Sequence, residues 1–202
     1  MPIKTLLIAT GNDGKVAELR QMLSGLPVML AGLSEFENIA EVPETGSTFE
    51  ENARLKASGY ARQTGLYALA DDSGLEVAAL GGRPGVPSAR YGGDDMPFAQ
   101  KIEKLLAEVG LTGIDDRRAR FVCSIALAAP DGSIMHTTDG ICTGILASEP
   151  RGSGGFGYDP VFIPDGFDQT FGELSSETKA RISHRGRAFL QIMPILRDIF
   201  DV

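Results

Sequence analysis

Two adjacent aspartates, Asp71 and Asp72, follow an apolar segment at residues 67–70 and precede Ser73. Two like charges near a core repel each other, so an opposite charge is needed to offset them. A Mg²⁺ ion that bridges carboxylate and phosphate oxygens would supply it, and a carboxylate could then orient or deprotonate an attacking water. Successive side chains of an extended chain point in opposite directions, so the two aspartates are expected to differ in role. An Asx turn that closes a strand is an alternative explanation.

A glycine-rich segment at residues 10–15 comes directly after another short apolar run and ends in Lys15. Backbone amides at a glycine turn before a helix bind anionic oxygens, and Lys15 adds a full positive charge. The segment therefore favours phosphate binding. It is not a P-loop, because the glycine spacing is too short and Val16 stands where a hydroxyl residue would hold the metal. An ordinary strand-to-helix turn with an exposed lysine is the alternative.

Two polar residues, Asn52 and Lys56, lie four positions apart in a segment with a helical pattern. They are therefore neighbours on one helical face and could bind a polyphosphate together, although a solvated face would have the same spacing. Glu44, in the sequence Glu-Thr-Gly, adds a carboxylate just before this segment.

A second glycine-rich segment, at residues 153–160, carries two aromatic residues and an aspartate. Its backbone can approach a ligand closely, and a base could stack on Phe156. Aromatic residues that only cover the core would produce the same pattern. Further along, His184 and Arg185 are adjacent just before a helical pattern, and both can donate hydrogen bonds to a carbonyl oxygen.

Alternating strands and helices must position these residues. Apolar runs predict buried strands at residues 3–9 and 67–70, whereas residues 34–46 have the composition of a loop with a weak strand. Two longer runs, joined by Pro-Asp-Gly, predict a β-hairpin over residues 120–129 and 133–146. The sheet should therefore contain an antiparallel pair.

Four helices are predicted from apolar residues at helical spacing. They cover Val16 to Leu23, Phe49 to Tyr60 after a cap at Ser47 or Thr48, Phe98 to Val109 before Gly110, and about Arg185 to Phe200. Pro194 should kink the last helix. The predicted fold class is α/β with a mixed sheet.

The composition restricts the possible functions. With 202 residues and 43% apolar content, the chain can form one compact domain over residues 1–202. A net charge of -8 opposes nucleic-acid binding. There is no apolar run of 18 residues and no signal-peptide pattern, so we expect a cytoplasmic protein with no membrane association. Cys123 and Cys142 lie in apolar surroundings and are expected to be buried, reduced thiols.

Together these motifs resemble the inosine triphosphate pyrophosphatase family. The resemblance runs from residue 6 to about 189, with the motifs in the family's order. It includes the stretches Ala70-Asp71-Asp72-Ser73-Gly74-Leu75-Glu76-Val77, Pro84-Gly85-Val86, Ser88-Ala89-Arg90-Tyr91, Gly155-Phe156-Gly157-Tyr158-Asp159-Pro160-Val161-Phe162 and Ser183-His184-Arg185-Gly186.

The resemblance implies an elongated, twisted mixed β-sheet flanked by helices, with two lobes around a central cleft. It also implies a homodimer that uses Mg²⁺ to cut ITP, dITP and XTP between the α- and β-phosphates. Inosine and xanthine carry a carbonyl at the purine 6-position where adenine carries an amino group, so hydrogen-bond donors there would favour the first two.

The resemblance also implies a role for individual residues. Asp72 matches the general base and a metal ligand, Glu44 matches a second metal-site carboxylate, and Ser73 matches a substrate contact. The positions that match phosphate contacts are Thr10, Gly11, Asn12, Asp13, Gly14, Lys15, Lys56 and Lys179. Those that match base contacts are Phe156, Gly157, Tyr158, Asp159, His184 and Arg185.

Two alternatives remain open from the sequence. One is a regulatory protein that binds a nucleotide without turning it over. The other is a hydrolase for a different triphosphate, such as dUTP, because phosphate-binding motifs do not select a base.

Overall fold

The computed structural model describes residues 4–200. Ile3, where the first predicted strand begins, lies outside these residues. The strands are β1 (Thr5–Ile8), β2 (Met29–Gly32), β3 (Tyr67–Val77), β4 (Arg118–Ala128), β5 (Ile134–Leu146) and β6 (Phe162–Pro164). The α-helices are α1 (Asp13–Leu23), α2 (Phe49–Thr64), α3 (Phe98–Leu111), α4 (Ser176–Ile182) and α5 (His184–Phe200).

The strands form one mixed sheet in the order β2-β1-β3-β4-β5-β6. Strand β1 pairs in parallel with both β2 and β3, and β5 pairs antiparallel with β6. The turn between β4 and β5 is closed by the amide of Ala129, which donates to the carbonyl of Ser133 at 2.9 Å. Such a short connection allows only an antiparallel pair. The predicted hairpin and mixed α/β sheet are therefore confirmed.

The chain divides into two compact units, and neither is a continuous stretch of sequence. Within the described residues, unit 1 holds the residues up to Asp72, Cys123–Gly140 and the residues from Arg185 onward. Unit 2 holds Ser73–Val122 and Ile141–His184. Strands β3, β4 and β5 each contribute residues to both units. One domain over residues 1–202 stays a prediction.

Unit 1 has apolar cores on both faces of its strands. In β1, Leu6 and Ile8 join a core with Leu19 of α1 and Ile192 of α5. Leu7, between them, joins a second core that contains alanines of α2. Alternate residues of a strand face opposite sides, so a strand covered on both faces is apolar throughout. This explains the uninterrupted apolar run at the start of the chain.

Unit 2 has its own core. Ile102 and Leu105 of α3 pack with Leu75 of β3 and with Phe121 and Phe162. The rings of Phe121 and Phe162 meet edge to face, with their centroids 4.8 Å apart. This core also contains Tyr158, one of the predicted site residues.

The structure corrects three of the predicted elements. β3 does not end before the acidic segment but continues through it to Val77, and α3 passes Gly110 to end at Leu111. The weak strand within 34–46 is wrong, because the structure has no strand there. Pro194 does lie inside α5, and both cysteines are free and buried as expected. Among the described residues, no helix is long and apolar enough to cross a bilayer.

Candidate active site

Asp71 is fully buried in β3 and is neutralised by two cations of unit 1. Arg185 donates to its Oδ2 atom from Nε at 3.0 Å and from Nη2 at 2.8 Å, and the Nζ atom of Lys15 lies 3.3 Å from Oδ1. Burial alone would raise the pKa of Asp71, but Lys15 and Arg185 outweigh it and hold that pKa well below its ordinary value. These charges explain why the strand continues through an acidic residue.

Arg185 has a second carboxylate partner in Glu18 of α1, which accepts from Nη1. Only 1% of the Arg185 side chain is exposed. Sequence reasoning did not single out Glu18, although its position three residues after Lys15 places both on one face of a helix. The three guanidinium nitrogens thus contact carboxylates within unit 1.

Asp72 has a different set of partners, as the strand geometry predicted. Its Oδ1 atom lies 3.0 Å from Nζ of Lys56, and its Oδ2 atom accepts from the Asn52 amide at 3.3 Å. Burial raises the pKa of Asp72 above its ordinary value, although the charges of Lys56 and Lys15 oppose the shift. The two adjacent carboxylates therefore have pKa values shifted in opposite directions.

Lys56 connects Asp72 to a second carboxylate. Its Nζ atom lies 2.7 Å from Oε1 of Glu44, and its side chain is 7% exposed, against 31% for Glu44. Burial disfavours the ammonium ion, but Asp72, Asp71 and Glu44 outweigh it and raise the pKa of Lys56. One charged lysine therefore holds Glu44 and Asp72 together.

Helix α2 positions Asn52 and Lys56. Its first turn is capped by Thr48, whose side chain accepts from the amide of Glu51 while Glu51 accepts from Thr48 in return. The side-chain oxygen of Asn52 accepts from the amide of Gly46 at 2.7 Å, which fixes the loop that carries Glu44. Asn52 and Lys56 are both buried, so the alternative of a solvated face is wrong.

The donor set fits Mg²⁺. Within residues 4–200, no three histidine, cysteine or acidic side chains form a group that could hold a metal ion alone. Mg²⁺ usually binds one or two carboxylates and completes its shell with water and phosphate oxygens, so it does not require such a cage. Glu44 and Asp72 already converge on one cation, the ammonium of Lys56. They are the residues that would hold the metal.

The glycine-rich loop leads into α1. Asn12 is the N-cap, and its side chain accepts from the amide of Lys15 at 3.0 Å, while the Thr10 hydroxyl accepts from the amide of Asn12. Asp13 and Gly14 form the first turn of the helix. A Cβ atom at Gly11 would meet nothing within 4 Å, so the backbone there is open to an approaching group. The Lys15 side chain is only 12% exposed, and the alternative of an exposed lysine is wrong.

A second group of predicted site residues surrounds Asp159 in unit 2. The Oδ2 atom of Asp159 lies 2.5 Å from Nζ of Lys179 and accepts from the amide of Phe156 at 2.6 Å. The same ammonium lies 4.7 Å from the centre of the Phe156 ring. Gly155 allows this turn, because its φ is +70° and an added Cβ would lie 2.0 Å from the Asp159 carboxylate. Lys179 is thus held among the residues predicted to contact a base.

Tyr158 and His184 are buried in the same unit. The Tyr158 hydroxyl donates to the carbonyl of Ser88 at 3.0 Å. The His184 ring stacks on Phe121, with centroids 4.6 Å apart and planes 10° from parallel. Phe156 is only partly buried, so it is better placed than Tyr158 to offer a ring face to a ligand.

The structure therefore brings the predicted residues together in two groups. In unit 1 the carboxylate-lysine cluster consists of Lys15, Glu44, Lys56, Asp71, Asp72 and Arg185. In unit 2 the aromatic-lysine cluster consists of Phe156, Asp159 and Lys179, with Gly157 and Tyr158 in the same loop. Ser73 and His184 also belong to unit 2. The catalytic, metal-binding and substrate-binding roles stay predictions.

The fold and the carboxylate-lysine cluster define an α/β protein in which carboxylates and cations are paired in a largely buried cluster of unit 1. The chain belongs to the Ham1 family, whose model matches residues 6–195. It is 52% identical to a dITP/XTP pyrophosphatase of Syntrophobacter fumaroxidans over 93% of this chain and 79% of that protein. It is 46% identical to the dITP/XTP pyrophosphatase of Prochlorococcus marinus over 97% and 94% of the two chains.

Solved structures are similar throughout the chain. A HAM1 protein from Coxiella burnetii is 41% identical with a TM-score of 0.88, over 97% of this chain and 100% of that one. The Ham1 protein of Staphylococcus aureus has the same identity and coverage, with a TM-score of 0.85. The family membership and the fold class predicted from the motifs are confirmed.

Proposed function

We propose that the protein hydrolyses the non-standard purine nucleoside triphosphates ITP, dITP and XTP to the monophosphate and pyrophosphate, and so removes them from the nucleotide pool. The names of the relatives support this activity. The structural observation that supports it most directly is the pair of carboxylates, Glu44 and Asp72, held by one ammonium at 2.7 and 3.0 Å. Two carboxylates placed together in this way could hold Mg²⁺ and orient the attacking water.

The chain's own residues supply the positioning that phosphoryl transfer requires. Attack of water on a phosphorus atom depends on alignment and charge neutralisation rather than on covalent help from the protein. Lys15 and the open backbone at Gly11 bind phosphate oxygens, and Asp72 orients the water and accepts its proton. Mg²⁺ held by Glu44 and Asp72 would neutralise charge on the phosphate oxygens.

Selection of the base is assigned to the aromatic-lysine cluster and His184. Phe156 offers a ring for stacking, and donors near it favour a purine with a carbonyl at position 6. Such a site rejects an analogue that leaves a buried donor unpaired, by roughly 10⁴-fold or more. For Arg185 to contact the base, its guanidinium would have to give up its hydrogen bonds to Asp71 or to Glu18.

A homodimer is part of the proposal. Ile141 and Ile145 lie four residues apart in β5, hence on one face, and are 40% and 44% exposed. In the proposed dimer, the second chain would cover these two side chains as part of a larger apolar surface. Light scattering at micromolar concentration tests this assembly. The expected cytoplasmic location stays a prediction.

A substrate panel tests the activity. Purified protein with Mg²⁺ is given ITP, dITP, XTP, GTP, ATP and dUTP in turn, and the products are separated by ion-exchange chromatography. We expect monophosphate and pyrophosphate from the first three, with much lower rates for the others. Binding without turnover would favour a regulatory protein, preference for dUTP would favour the other hydrolase, and release of single phosphates would exclude the proposed bond cleavage.

A further inference from the structure

We propose that Lys56 is a resident counter-ion for the metal site, and that a divalent cation binds Glu44 and Asp72 by displacing its ammonium group. The inference rests on the proposed function in taking Mg²⁺ as that cation. It assigns to Lys56 a role before substrate arrives, in addition to the phosphate contact that the family resemblance implies.

The contacts of Lys56 place its charge where a metal ion would bind. Its Nζ atom lies 2.7 Å from Oε1 of Glu44 and 3.0 Å from Oδ1 of Asp72. The other oxygen of Asp72 accepts from Asn52, whose side-chain oxygen also holds the amide of Gly46. Asp72 therefore has a partner in α2 other than Lys56, and the loop that carries Glu44 is attached to α2 at Gly46. The Lys56 ammonium is at the end of a side chain with four rotatable bonds, so it can leave the carboxylates while both stay in place.

Charge balance explains why the position needs a cation at all times. Two carboxylates that converge in a mostly buried site repel each other strongly unless a positive charge lies between them. Lys56 supplies that charge in the metal-free protein. An ammonium and a Mg²⁺ ion cannot both contact the same oxygens closely, because the two cations repel each other and compete for the same lone pairs.

Displacement gives the lysine a second use. An ammonium released from Glu44 and Asp72 remains attached to α2 beside the site, with three donors to offer to phosphate oxygens. Metal binding would thus convert Lys56 from a carboxylate partner into a phosphate ligand. Lys56 would neutralise Glu44 and Asp72 until the metal binds, and metal binding would then free its ammonium to contact the substrate.

Titration of the metal alone, without nucleotide, tests the displacement. Isothermal calorimetry with MgCl₂ is carried out on the wild type and on Lys56→Met, whose side chain is also unbranched and only slightly shorter but carries no charge. Lys56→Met should bind Mg²⁺ about tenfold more tightly than the wild type, because the competitor is absent. Unchanged or weaker binding by Lys56→Met would overturn the proposal.

Two further variants separate competition from a general effect of charge. Lys15→Met removes a positive charge that contacts Asp71 rather than Glu44 or Asp72. This variant should tighten Mg²⁺ binding by less than about threefold. Lys56→Arg keeps the charge and should not bind Mg²⁺ more tightly than the wild type. Equal tightening in Lys15→Met and Lys56→Met would show a field effect and contradict direct displacement.

A spectroscopic readout on the wild type does not depend on the folding of Lys56→Met. The ¹⁵Nζ resonance of Lys56 is identified by its absence from the spectrum of Lys56→Arg. It should shift as MgCl₂ is added, with the midpoint found by calorimetry, and an unshifted resonance at saturation would exclude displacement. Hydrolysis of dITP is assayed separately, so a failure of the proposed activity is distinguished from a failure of this exchange.

Discussion

Arg185 donates two hydrogen bonds to a single carboxylate oxygen of Asp71, from Nε at 3.0 Å and from Nη2 at 2.8 Å. Its remaining terminal nitrogen contacts Glu18, and the side chain is almost completely buried. Loss of one member of a buried ion pair leaves an uncompensated charge, so Arg185→Met should lower the free energy of unfolding by about 3 kcal/mol or more. Urea denaturation followed by circular dichroism measures this change.

Arg197 provides the matched control, because it also lies in α5 and is exposed. Arg197→Met should change the free energy of unfolding by no more than about 0.5 kcal/mol. Equal losses in the two variants would mean that the contacts of Arg185 with Asp71 and Glu18 do not stabilise the fold.

Removal of the charge should destabilise the protein much more at Asp71 than at Asp72. Asp71→Asn removes a carboxylate whose pKa is held low by Lys15 and Arg185, so the protein should lose about 3 kcal/mol of stability. Asp72→Asn should cost less, because burial raises the pKa of Asp72 and Lys56 keeps Glu44 as a carboxylate partner at 2.7 Å. Turnover of dITP by Asp72→Asn should nevertheless fall by at least about 100-fold. Near-normal turnover would remove Asp72 from catalysis.

The free energy of unfolding, measured as the pH is lowered, checks the opposite pKa shifts of Asp71 and Asp72. The pKa of Asp71 in the folded protein lies below its ordinary value of 3.8. The contribution of Asp71 to the free energy of unfolding is therefore complete above a pH of about 3.8 and is lost as the pH falls further. The shift of Asp72 is upward, so its protonation at falling pH favours the folded state. Asp71→Asn should therefore flatten the loss of stability below a pH of about 4. An Asp71→Asn curve with the wild-type slope below that pH would contradict a lowered pKa for Asp71.

The local sequence pattern predicted most elements correctly but missed the end of β3. It treats Asp71 as a polar interruption, because nothing within a few residues reveals that its charge is neutralised. The neutralising residues are Lys15 and Arg185, and the second is 114 positions away. The continuation of β3 through Asp71 thus depends on contacts with residues far away in the sequence, and a local hydrophobic pattern does not reveal such contacts.

The remaining misses have a related cause. β2 and β6 have four and three residues, too few to establish a period of two, and the unpredicted helix α4 has seven, too few to establish a helical period. The pairing of Asn52 with Asp72 required knowledge that α2 packs beside β3, although the spacing of Asn52 and Lys56 did place them on one face. Residue types and local spacing therefore singled out side chains that the fold brings together in two clusters, whereas their partners became visible only in the fold.

Gly11 offers a test of phosphate binding that should leave folding intact. A Cβ atom there would meet nothing within 4 Å, and its φ lies outside the left-handed region. Gly11→Ala should therefore fold normally, yet raise the KM for dITP because the added methyl group obstructs the backbone amides that approach phosphate. Gly25→Ala is the control, since its Cβ would also meet no neighbour within that distance. Equal KM values for the two variants would place the phosphates elsewhere.

His184 combines a structural contact with a predicted base contact, and two substitutions separate them. Its ring stacks on Phe121 at 4.6 Å, so His184→Ala opens a cavity and should lower stability by about 2 kcal/mol or more. His184→Phe retains an aromatic ring for that stack but removes both ring nitrogens, so it should stay closer to the wild type in stability. If an imidazole donor selects the purine 6-carbonyl, both variants should reduce the ratio of kcat/KM for dITP to that for dATP by tenfold or more, which is about 1.4 kcal/mol of discrimination. A ratio that falls only in His184→Ala would assign the effect to lost packing and exclude a hydrogen bond to the base.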